Sequence, residues 1–121
     1  MDIHKINLCD KFGMFEDPWN PRVVGELNGQ LVTVARYKGI GNWRMHLHED
    51  ESFYVVKGML TMLFLDRQVE LQFGEMLIVP AGIEHCPFAE EDAWVMVFEP
   101  ATVLDKTDRT YAFMKKDFRK I

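Results

Sequence analysis

Cysteine is scarce: Cys9 and Cys86 are the two among 121 residues, and they form no CxxC pair. Sparse cysteine without an export signal predicts reduced thiols and a cytoplasmic location. No apolar run approaches the ~20 residues of a membrane span, and Met1-Asp2-Ile3-His4-Lys5 lacks a signal-peptide core, so no membrane partner is expected. Positive charge is in deficit, with 14 Lys and Arg against 19 Asp and Glu and a net charge of −5. That balance argues against a nucleic-acid surface, which relies on concentrated Lys and Arg. The one basic cluster, Lys115, Lys116, Arg119 and Lys120, reads as a solvated helix face. Repeats, low-complexity tracts and Pro/Gly-rich linkers are missing too, which predicts a single domain over 1–121 with its core at about 23–100.

What the chain does have is core material and turns. Nine Phe, three Tyr, three Trp and eight Met supply bulky filling. Ile6 and Leu8 alternate as in a short edge strand, and the prolines at 18 and 21 mark a turn. Extended runs follow at 23–27, 30–38, 43–48, 51–57, 60–65, 69–73, 76–79, 85–88 and 93–98. Asn28-Gly29 and Asp66-Arg67-Gln68 read as hairpin turns. Short strands at such spacing are the mark of an all-β sandwich or barrel. Only the tail looks helical, where Tyr111, Met114, Phe118 and Ile121 fall on one face.

Three of the four histidines lie in two short stretches, Arg44-Met45-His46-Leu47-His48-Glu49-Asp50-Glu51 and Pro80-Ala81-Gly82-Ile83-Glu84-His85. In a regular strand Arg44, His46 and His48 share a face, and Glu51 joins them only if the chain turns near Glu49-Asp50. Imidazoles with a carboxylate suit Zn, Fe, Mn, Ni or Cu. Cys86, next to His85, would point to the opposite face as buried filler. His4 lies outside these stretches and reads as a surface residue.

The punctuation around these residues resembles the two motifs of the cupin superfamily. Glu51 precedes Gly58 by seven positions, and Gly74 leads to Pro80-x-Gly82-x-x-His85. The resemblance implies a small double-stranded β-helix (jelly-roll) barrel, often dimeric, with metal held by three histidines and a glutamate. Ala89 stands where the second motif usually has Asn. The first motif fits in two registers. If His46 and His48 form the His-x-His pair, His48 lies too close to Glu51 for the family pattern. If His46 is the second histidine, Arg44 occupies the first ligand position, and Gly-Glu-Leu-Asn-Gly-Gln at 25–30 and Trp43 favour that alignment.

Two functions from different classes follow. One is a metal-dependent enzyme of dioxygenase or isomerase type, with a divalent transition metal (Zn, Fe, Mn or Ni) on His46, His48, Glu51 and His85. Phe53, Met62 and Phe64 would line its pocket for a small-molecule ligand, and His48 is either a ligand or a nearby acid/base. The other is a non-catalytic binding module with a depleted metal site. There Arg44, which stays protonated and cannot ligate a cation, would hold a carboxylate or phosphate. A structural homodimer with a vestigial pocket is the third reading.

Overall fold

The computed structural model describes residues 3–101 and 119–121. The N-terminal segment is a short helix, α1 (Leu8–Phe12), not the edge strand expected there. Local capping decides the matter: the Asn7 side chain accepts a hydrogen bond from the Asp10 amide at 3.0 Å, satisfying a donor that a strand would have left to a neighbour. The strands are β1 (Arg22–Leu27), β2 (Gln30–Ile40), β3 (Glu51–Lys57), β4 (Met59–Leu63), β5 (Gln68–Gln72), β6 (Met76–Val79), β7 (Cys86–Pro100) and β8 (Arg119–Lys120). The fold is an all-β double-stranded β-helix. Its sheet path runs β5-β4-β7-β2-β1-β8, with β3 joining β7 to β6. Among the described residues no helix is long and apolar enough to cross a membrane.

Strand β7 holds this arrangement together. The runs at 85–88 and 93–98 are parts of one strand, bent where its register on β2 shifts between Tyr37 and Gly39. Its first part pairs with β4 (Thr61 opposite Phe88), its second part with β3 (Ser52 opposite Phe98), and β2 follows it almost end to end. Inward residues Ala89, Ala93, Val95 and Val97 meet Tyr37, Phe53, Val55, Leu60, Met62 and Leu71 in the barrel core. On the outer side Phe12 and Phe15 pack on Val34, with Trp94 and Met96 beside them. Arg36 clamps this cover, donating to the Phe12 carbonyl and to Asp92, both at 2.9 Å. Two-sided burial at Thr33, Val34 and Ala35 therefore comes from the chain's own N-terminal segment.

Two turns behave as their residues demand. Leu27 pairs with Gln30 across Asn28 and Gly29, both with positive φ, which suits a type I′ hairpin. Gly58 has φ +86°, and a Cβ there would meet the Asp92 carbonyl oxygen at 2.9 Å. Arg119 and Lys120 pair in parallel with Arg22 and Val23 as β8. The rest of the tail, with Tyr111, Met114 and Phe118 of the expected helix, lies outside the described residues.

Replacing Gly58 by Ala should cost about 1–3 kcal/mol, since it adds a close backbone contact to a left-handed φ. Gly74, at φ +84° but with open space around its Cβ position, should cost less on the same change. Urea unfolding of the two variants checks the order. A second expectation concerns Asp17, which accepts from Arg22 at 2.9 Å and from Asn20 at 2.8 Å. The Arg22 hydrogen bond, working against partial burial, holds its carboxyl down at about 2. A depressed folded-state value means the stabilisation is complete above the unfolded value near 3.8 and is lost as pH falls through about 2. Asp17→Asn should therefore be less stable than the parent at pH 6, with the gap closing below pH 2 on acid titration.

Candidate metal centre

The first histidine stretch is a loop in the structure. Arg44 makes an isolated bridge to His85, its amide donating to the His85 carbonyl at 2.9 Å and its carbonyl accepting back at 3.0 Å. The Gly82 amide donates to the His46 carbonyl at 2.8 Å, and the Ala81 amide to the Asp50 carboxylate at 2.8 Å. These bonds stitch residues 44–50 to the turn at 80–85. Alternation therefore holds from Arg44 to Leu47, with Arg44 and His46 buried and Leu47 exposed, and fails at His48, which is exposed where the chain bends. His48 does not enter the centre.

Glu51, the first residue of β3, is buried and faces the two other histidines. His85 Nε2 stands 3.3 Å from its Oε1, and His46 Nε2 stands 3.6 Å from the same oxygen. His85 Nδ1 lies 2.9 Å from the Ile83 carbonyl. A carbonyl only accepts, so Nδ1 is the donor to Ile83, and Nε2 is the nitrogen left to face Glu51. An imidazole whose far nitrogen is fixed by a carbonyl is also how metal-ligating histidines are oriented.

A fourth donor was not singled out in the sequence. Glu99 lies on β7, and the β3–β7 register places it directly across from Glu51 (Ser52 opposite Phe98, Phe53 opposite Val97). It is buried, and ligand atoms of His46, Glu51 and Glu99 lie within 4.8 Å of one another. Opposed carboxylates repel when both are ionised. Burial, which raises a carboxyl, acts on both, and the pair resolves by splitting. Burial together with the Glu51 charge pushes Glu99 well above the usual range, so it donates to Glu51 as a neutral acid. Glu51 is held well below that range despite burial, by hydrogen bonds from His85 and Glu99 and by the charges of Arg44 and His46. The available signal was parity: Glu99 continues the inward series of Val95 and Val97.

Arg44 is buried with them. Burial opposes its charge, yet Tyr37 and Glu51 keep it protonated, with a hydrogen bond between guanidinium and phenol. Burial in turn pushes Tyr37 up to about 12. Phe53 walls the group, with its ring 5.9 Å from His85 edge-on and 6.0 Å from the Arg44 guanidinium carbon. Met62 is buried in the same core, and Phe64 packs on it half-buried. Cys86 is fully buried, and burial raises its thiol, as filler should behave.

The structure thus contains a possible His/Glu metal site, of imidazole and carboxylate donors only. Ligand atoms of His46, Glu51 and Glu99 form one compact set, and His85 Nε2 reaches the same Glu51 oxygen as His46. This donor set fits a divalent cation.

Known proteins support the fold independently. A protein from Shewanella frigidimarina described as containing a cupin-2 domain is similar at 40% identity, over 78% of this chain and 93% of its own, with a TM-score of 0.78. The Neisseria meningitidis protein NMB1881 superposes with a TM-score of 0.75 at 23% identity, over 81% of this chain and all of its own. A hydroquinone 1,2-dioxygenase from Sphingomonas shares the fold at 18% identity and a TM-score of 0.65, over 83% and 80% of the two chains. The uncharacterized Bacillus subtilis protein YdbB is 32% identical over 63 residues, so the match spans 51% of this chain and 56% of that relative. The family profile described as "Cupin domain" matches residues 30–103, more than half of the chain. With the barrel, the Gly and Pro turns and the histidines in place, the chain belongs to the cupin family.

Proposed function

We propose that the protein is a small metal-dependent cupin that acts on a small molecule. The observation carrying this reading is the convergence of His46 and His85 on one oxygen of buried Glu51, with Glu99 across the strands. His46 and Glu51 would hold the cation, His85 or Glu99 would supply the third donor, and open positions would remain for a ligand. Nitrogen and oxygen donors without thiolate favour Fe, Mn, Zn or Ni. Such an ion, when bound, polarises a carbonyl or enediol or holds oxygen beside the substrate, the isomerase-type and dioxygenase-type uses. The chain's own part is to fix His85 through Ile83, to keep Glu51 anionic and to wall the site with Phe53.

A second reading is favoured by one observation, the burial of Arg44 among these donors. It is a binding module without metal, in which the guanidinium pairs with a carboxylate or phosphate.

Elemental analysis of tag-free protein purified without chelator separates the two. Near-stoichiometric transition metal is expected in the parent protein, lost in Glu51→Gln and His46→Ala, and retained in His48→Ala. Metal at a hundred times its dissociation constant should also stabilise the fold by about 2.7 kcal/mol, read as a thermal shift. Metal-free protein with no shift on adding Fe, Mn, Zn or Ni would sink the enzyme reading and leave the anion site.

A further inference from the structure

We propose that Arg44 and the metal recognise one ligand together, and that this ligand is a small monocarboxylate with a second oxygen next to its carboxylate. The inference rests on the metal reading above and names its substrate class. Its basis is charge in a buried space. A divalent cation beside Arg44 brings three positive charges to a group whose only buried carboxylates are Glu51 and Glu99 among the described residues. His46 and His85 are neutral as ligands, and Tyr37 is a phenol. Whatever the proton on Glu99 does, the loaded centre keeps at least one surplus positive charge. Glu49 also acts on Glu99, but it is only half-buried, so solvent shares its charge.

A buried surplus charge is costly unless paired, and a monoanion completes the balance. The guanidinium is planar and carries a fork of donors that matches a carboxylate. It is held in place rather than free to swing out, by its backbone bridge to His85, by Tyr37 and by the Phe53 ring. One oxygen of the ligand can then meet Arg44 while its neighbour takes an open metal position. The ligand is small because Tyr37, Phe53, Leu60 and Met62 already fill the barrel behind the site, each at most 1% exposed. On this account the cation site and the anion site are one site.

Lactate and its neutral amide, lactamide, test the idea by isothermal titration on protein first loaded with Mn²⁺, with uptake measured by electron paramagnetic resonance. Loaded parent protein should bind lactate about tenfold or more tightly than lactamide, and metal-free protein should show no such preference. Arg44→Met should take up Mn²⁺ as well as the parent or better, which also shows that it folds, and should lose the preference. Arg44→Lys should keep only part of it. Equal binding of lactate and lactamide by loaded parent protein overturns the proposal without any variant, as does an intact preference in Arg44→Met. Failure of the parent to take up Mn²⁺, Fe²⁺, Zn²⁺ or Ni²⁺, seen before any lactate is added, instead removes the metal reading and this inference with it.

Discussion

A carboxylate sealed inside a β-barrel has to be matched by protons or positive charge, and Glu51 is such a carboxylate. Desolvation alone would drive it to the neutral acid. It stays ionised because His85, Glu99, Arg44 and His46 all act on it in the same direction. Each of those residues is itself buried, and each would be expensive in isolation. They are tolerable only as a set, so the barrel has to deliver them to one place within a few ångströms.

The delivery is a matter of backbone hydrogen bonds. β3 and β7 set Glu51 opposite Glu99 through their register, which a slip by one residue would destroy. The Arg44–His85 bridge sets the guanidinium and the imidazole side by side. The Gly82-to-His46 bond brings in the second ring, and the Ile83 carbonyl aims the first. No single element owns the centre. It exists where the loop at 44–50, the turn at 80–85 and two strands meet, on a scaffold filled by Tyr37, Phe53 and Met62.

This explains which parts were legible in the sequence. Turns that need positive φ announce themselves in single residues: Asn28-Gly29, Gly58, Gly74 and Gly82 all adopt it. Alternation gave the strands, and the motif spacing led to His46, Glu51 and His85, which the structure brings together. His48 was misleading because strand parity was extended past the point where the Gly82 and Ala81 amides capture the loop, a contact with residues more than thirty positions away. The α1 segment was misread because one capping side chain outweighs a faint alternation. Glu99 was missed for the opposite reason. Its parity was visible, but its value depends on lying across from Glu51, and register between strands 48 positions apart is not written in either one.

Arg44 gives the centre its particular character. Among imidazole and carboxylate donors a guanidinium lowers the affinity for any cation by simple repulsion, so it works against a site meant only to store metal. It equally works against an anion site left to itself, because Glu51 already neutralises it. Both objections disappear when a cation and an anionic ligand are bound together, since each then screens what the other would find repulsive. Without them, the opposite shifts of Glu51 and Glu99 serve the same balance, one carboxyl lowered and the other raised. On the proposed reading the barrel holds a matched set of charges whose last two members arrive from solution.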